Sequence, residues 1–160
     1  MKKITLFFCL ILSFNAFSQN ELPGIDVTTL DGETINIKDA SNQDNVVIIS
    51  LWATWCLPCI KELDAISEVY DEWQEETNVE LIAVSVDDSR TVKRVKSLIN
   101  GKGWEYTVLL DTNSDLKSAL GAATVPLTLL IKDNKIVFKH SGYNPGSEVE
   151  LYEKVKEFSN

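Results

Sequence analysis

The chain has 160 residues, 24 Asp and Glu against 15 Lys and Arg, and a formal net charge of −9. Its length suits one domain with its own core. The negative balance argues against nucleic acid or an anionic lipid surface as a partner.

The N-terminus reads as a secretory signal. Lys2 and Lys3 form a basic n-region, and Ile4 to Leu12 an apolar h-region. Ala16-Phe17-Ser18 puts small residues at the two cleavage-determining positions. Cleavage is expected after Ser18, leaving a leader over 1–18 and a domain over 19–160. The alternative is an uncleaved anchor that keeps the protein at the membrane. The apolar run is shorter than the ~20 residues a spanning helix needs. Cys9 sits inside the h-region behind two phenylalanines, which does not suit lipidation. No later segment is apolar enough to span, so an exported, periplasmic protein that does not cross the membrane is expected.

Ile25 to Ile37 reads as a hairpin around Leu30-Asp31-Gly32-Glu33, with Asp-Gly as the turn. Val46 to Trp52 is an unbroken apolar run that suits a strand buried on both faces. One helix is predicted from about Pro58 to Glu76, with Leu63, Ile66, Tyr70 and Trp73 as its apolar stripe. Its acids (Glu68, Asp71, Glu72, Glu75, Glu76) suit a solvated face, or else a docking surface for a basic partner. Val79 to Val86 is a second buried strand, and Arg90 to Asn100 a helix with Val92, Val95 and Ile99 on one face. Tyr106 to Leu110 is a short strand, and Ser114 to Leu120 a short helix stopped by Gly121. Leu127 to Ile131 and Lys135 to His140 form a hairpin across Asp133-Asn134. Ser147-Glu148-Val149-Glu150 is a capping-box pattern opening a last helix through about Phe158. Strands alternating with helices, then a hairpin and a helix, predict an α/β fold with a mixed central sheet.

Chemistry concentrates in Trp52-Ala53-Thr54-Trp55-Cys56-Leu57-Pro58-Cys59, where the first buried strand turns into a helix. A thiol at a helix N-terminus meets unsatisfied N–H groups and the positive end of the dipole. Both favour the thiolate, the reactive form. Cys56 is therefore the expected nucleophile, and Cys59, one turn on, the shielded resolving thiol. A structural staple is the plainer reading, but so short a loop removes little unfolded-state entropy. Metal is another. Zinc usually takes four ligands, and beyond the leader the chain offers two cysteines and His140. No metal and no cofactor are expected, and His140 reads as a surface or strand-end residue. At ~100° per residue, Glu62 falls about 60° from Cys59, on the side that also holds Ile66. A carboxyl there would be partly buried, with a raised pKa, and could serve Cys59 as a base. The alternative is a surface glutamate paired with a lysine. Pro58 at the first turn costs the helix little. Leu57-Pro58 adds no charge to the thiolate, which implies a weak oxidant. Trp52 reads as core, and Trp55 as lining the site and packing on a docking peptide.

The pattern W-x-x-W-C-x-P-C over 52–59, Glu62-Leu63, Val84-Ser85-Val86-Asp87, Ala123-Thr124-Val125-Pro126-Leu127-Thr128, Gly142 and Leu22-Pro23-Gly24 resembles the thioredoxin superfamily. More narrowly, it resembles the exported thiol–disulfide oxidoreductases of TlpA/ResA type, from about residue 22 to 158. The resemblance implies a thioredoxin-like fold with an N-terminal hairpin extension and a βα insert. It implies a redox-active Cys56–Cys59 pair and a cis bond before Pro126, exposing the Val125 backbone to an extended substrate segment. An ordinary trans proline at a strand start is the alternative. It further implies protein or peptide disulfides as substrates. A membrane thiol relay is expected as electron donor, because an exported compartment lacks a reductant pool, and a monomer is expected. Ser50 stands where most thioredoxins have a buried aspartate, and Asp64 where a proline is common; the first departure puts weight on Glu62. A peroxiredoxin-like thiol peroxidase shares the hairpin and the Tyr106 to Leu120 insert, but no Thr-x-x-Cys pattern and no Arg near Cys56 support it. A non-enzymatic metal carrier or assembly factor is the reading from a different class.

Overall fold

The computed structural model describes residues 21–41 and 44–159. The expected leader, Cys9 and the cleavage position lie outside the described residues. The remaining chain builds a seven-stranded mixed sheet flanked by helices.

The centre of the sheet is β3 (Val47–Trp52), buried at every position, as its unbroken apolar run requires. It pairs in parallel with β4 (Glu80–Ser85), which pairs in parallel with β5 (Thr107–Leu110). On the other side β3 pairs antiparallel with β6 (Leu127–Lys132), which forms a hairpin with β7 (Lys135–Ser141). Asp133 and Asn134 both take positive φ, 51° and 58°, as a two-residue hairpin turn demands. The N-terminal hairpin, β1 (Asp26–Thr29) and β2 (Thr34–Asn36), joins the sheet through β1 against β5.

The structure shortens three predicted elements. Asn36 ends β2 because its side chain accepts the Lys38 amide and caps the single turn α1 (Ile37–Ala40). The helix after the cysteines is two helices, α2 (Leu57–Ser67) and α3 (Tyr70–Thr77). At Val69 the backbone leaves helical values, φ −124° and ψ 4°, and its amide bonds back to Ile66 over a tighter turn. Beyond that break the Tyr70 hydroxyl accepts the Leu81 amide, and Trp73 stacks on Tyr152 with ring centroids 4.6 Å apart. Helix α4 (Lys93–Lys102) starts later than its pattern because the Asp88 carboxylate holds the amides of Arg90 and Thr91 in a preceding turn.

Helix α5 (Asp115–Ala119) ends before Gly121 at φ 62°, as expected. Helix α6 (Ser147–Ser159) lies against α2 and α3. Its capping box does not form as the sequence pattern predicts. Ser147 Oγ instead reaches back to accept the Asn144 amide, and Glu148 accepts the Gly146 amide and the Tyr143 hydroxyl. Glu150 is thereby left free of the cap. Trp52 is fully buried, edge-on to Trp104 at 5.2 Å, in agreement with its reading as core.

Candidate active site at the start of helix α2

Cys56 is the N-cap residue of α2. The Cys59 amide donates to its Sγ at 3.3 Å, so an unsatisfied helix N–H is aimed at the sulfur. In the reduced state that donor and the helix dipole favour the thiolate. The two sulfurs are joined in a disulfide, with Cα atoms 5.3 Å apart. Access is unequal in the expected sense: Cys56 keeps 5% of its surface and Cys59 none. Around Cys56 the rim is apolar and open, with Trp55 59% and Leu57 62% exposed. Pro58 is also exposed, in the first turn of α2.

The loop before β6 closes the site from the other side. The Val125–Pro126 peptide is cis, and the Val125 carbonyl oxygen lies 3.7 Å from Cys56 Sγ. Val125 is half-buried and Pro126 buried. Residues 69 positions apart in sequence therefore meet at one sulfur.

Glu62 is buried, 3% exposed, one helical turn beyond Cys59. This overturns the surface-glutamate alternative. Its two oxygens are held separately: Thr128 Oγ1 donates at 2.8 Å and Ser50 Oγ at 3.2 Å. Burial is the main cause that lifts the carboxyl to about 7; Glu148 adds to the rise, and the two hydroxyl donors work against it. A carboxyl that titrates there can take and return a proton near neutral pH.

Three features of the site lay beyond the sequence reading. One is the Ser50–Glu62–Thr128 clamp, which joins β3, α2 and β6. The serine in the place of an aspartate is a donor to the acid rather than a blank. Another is Asp87, fully buried just after β4. Its carboxylate accepts the Thr54 amide at 2.8 Å, the Thr54 hydroxyl at 2.6 Å and the Ser85 hydroxyl at 2.8 Å. That brace fixes the loop that carries Trp55 into Cys56. Asp87→Ala should cost about 3 kcal/mol, because several donors lose a charged acceptor together. Urea unfolding measures it, and a loss under about 1 kcal/mol would mean that other contacts hold the loop. The third is His140. It stands near the end of β7, as expected, but its Nε2 atom is buried rather than at the surface.

No group of three or more metal-ligating side chains occurs among the described residues. None of their helices is long and apolar enough to cross a membrane.

Residues 18–140 match the family described as AhpC/TSA. The chain belongs to that family. Within it, the chain is similar to the thiol-disulfide oxidoreductase ResA of Bacillus thuringiensis strain Al Hakam. The two are 33% identical over 135 residues, which cover 84% of this chain and 75% of the other. Among solved structures it is similar to an uncharacterized thioredoxin-like protein from Porphyromonas gingivalis. That match has TM-score 0.76, 44% identity, and coverage of 85% of this chain and 90% of that one. A putative thiol:disulfide interchange protein DsbE from Chlorobium tepidum shares the fold at TM-score 0.76 and 20% identity, covering 88% and 96%. The fold is thioredoxin-like, and this member of the AhpC/TSA family is a thiol–disulfide oxidoreductase built on Cys56 and Cys59. Family membership alone would leave a peroxidase reading open. The relatives' activity and the oxidised C-x-x-C pair favour disulfide exchange.

Proposed function

We propose that the protein is an exported reductant of protein disulfides. The observation that carries this reading is the asymmetry at α2, with one sulfur at the helix start under the cis-proline loop and the other sealed behind it. The Cys56 thiolate attacks a substrate disulfide, forming a mixed disulfide and expelling one substrate thiolate. Cys59 then gives its proton to the Glu62 carboxylate and attacks Cys56 Sγ. The Cys56–Cys59 disulfide closes, the mixed disulfide breaks, and the second substrate thiolate leaves. Two electrons have passed from protein to substrate.

Val125, outside any strand and facing Cys56, pairs with an extended substrate segment, while Trp55 and Pro58 line the groove. A membrane thiol relay returns the electrons by the reverse exchange, since an exported compartment lacks a reductant pool. Lys2, Lys3, the Ile4 to Leu12 run and Ala16-Phe17-Ser18 support export to the periplasm. Both thiols and the carboxyl come from one chain, which supports a working monomer.

The direction rests on Leu57-Pro58, which brings no cation to the thiolate. A potential nearer thioredoxin's ~−270 mV than DsbA's ~−120 mV is expected. Equilibration against a dithiothreitol or glutathione series measures it, together with reduction of insulin disulfides. A value more oxidising than about −180 mV would overturn the reductant reading.

A further inference from the structure

Residues directly opposite in neighbouring strands share a face of the sheet. Ser50 of β3 stands opposite Thr128 of β6, and Thr128 opposite His140 of β7. The first two hold the Glu62 carboxyl. His140 is the next member of the same row, and it is the only histidine in the chain. Its Nε2 is buried and has no hydrogen-bond partner among the described residues. A buried polar atom so placed needs a partner.

Beside it is a cavity of about 10 Å³, roughly the room one water needs. Glu62, Thr128, His140, Ser147 and Glu150 are among its walls. Glu62 and Glu150, the latter exposed on α6, thus line the same cavity. Ser147, Glu150 and Leu151 of α6 wall this pocket, and neither cysteine is among the residues that line it. Glu62 itself is 3% exposed, and this cavity is an opening it lines through which a received proton can leave.

We propose that His140 is the proton relay for Glu62. This rests on Glu62 being the base for Cys59. After Glu62 takes the Cys59 proton, a single water in the cavity passes a proton to His140 Nε2. The transient imidazolium releases it to solvent past Ser147 and Glu150, and Glu62 is again a carboxylate. No electron moves in these steps, and the proton count balances with the one lost by Cys59. An imidazole has two ring nitrogens, so it can take a proton at one and release one from the other. The charged and titratable groups around the path are Glu62 from α2, Glu148 and Glu150 from α6, and Tyr143 from the turn before α6. All of them can accept or tolerate positive charge on the imidazole. The role proposed for His140 is to carry a proton for Glu62, not to react with a sulfur.

The test is the single-turnover resolution rate of a preformed Cys56 mixed disulfide, followed from pH 5 to 9. It compares the unsubstituted protein with His140→Gln, His140→Phe, Glu62→Gln and the double variant Glu62→Gln/His140→Gln. His140→Gln keeps a hydrogen-bonding group but cannot take up and release a proton between pH 5 and 9. We expect both His140 variants to slow resolution about tenfold and to alter its pH profile, with the first attack by Cys56 unchanged. In the Glu62→Gln background, His140→Gln should add nothing. Full activity in His140→Gln would overturn the relay and leave His140 as a brace. So would equal slowing with and without Glu62. If Glu62→Gln is slow while both His140 variants are normal, the relay fails and the base reading survives. If Glu62→Gln is also normal, both fail.

Discussion

Cys56→Ser is expected to lower disulfide reduction on the order of 10³-fold or more, whereas Cys59→Ser should stop after half a cycle. The reason is geometric. Cys56 retains surface, accepts the Cys59 amide and faces Val125, while Cys59 has no exposed area from which to reach a substrate. Without Cys56 no sulfur of the pair is within reach of an incoming disulfide. Without Cys59 the first exchange still occurs, but nothing releases the adduct. Mass spectrometry of the Cys59→Ser protein after exposure to a model disulfide should show one substrate thiol attached at Cys56. Limiting iodoacetamide on the reduced protein provides the converse measurement. Alkylation of Cys59 before Cys56 would reverse the assignment, and an adduct-free Cys59→Ser protein would remove the mixed-disulfide cycle altogether.

Glu62→Gln should slow resolution on the order of 10²-fold at pH 8, and it should change stability in the opposite sense. For catalysis, the carboxylate is the active form. The resolution rate of the unsubstituted protein should therefore climb through about pH 7, and the climb should vanish in the glutamine variant. For stability, the folded pKa is about 7 against an ordinary value of 4.5. Below 4.5 the group is protonated in both states and its full contribution is present. Between 4.5 and about 7 the unfolded chain releases the proton more readily, so stability falls as pH rises. The loss amounts to about 3 kcal/mol. Glutamine fits the same clamp of Ser50 and Thr128 and has no proton to lose. The oxidised variant should thus match or exceed the parent in urea at pH 8 and lack this slope. A fast variant with an unchanged pH profile would leave water as the proton acceptor.

How far the sequence led depended on whether a feature is local. The unbroken apolar run into Trp52 can only be a strand covered on both faces, and it is. The two positive-φ residues at Asp133-Asn134 suit a tight hairpin, and they make one. The cis bond before Pro126 followed from a resemblance rather than from periodicity, and it too is present. The break between α2 and α3 was hidden because Leu63, Ile66, Tyr70 and Trp73 keep helical spacing straight across it. What bends the chain there comes from elsewhere: the Leu81 amide and the Tyr152 ring. Helix phase found Glu62, since phase is a local property. Its donors Ser50 and Thr128 lie 12 and 66 residues away, where no pattern links them to it. Asp87 and His140 were in view, but their distant neighbours were not: Thr54 lies 33 residues from Asp87, and only the sheet sets Thr128 opposite His140. Their importance comes from what strand register sets beside them.

A protein proposed to take up extended segments of other chains would be exposed to capture along the margins of its own sheet. Here both margins are blunted. On one side β2 is only three residues long and turns at once into α1. On the other, Glu21 bridges to Lys135 and the Leu22 amide bonds to Asn134, so the start of β7 already has a neighbour. Lys135 and Lys139 add charge along the same strand. Short, covered or charged edges resist sheet-to-sheet aggregation. On the proposed function, the backbone beside the reactive sulfur is then the stretch left open to an extended client.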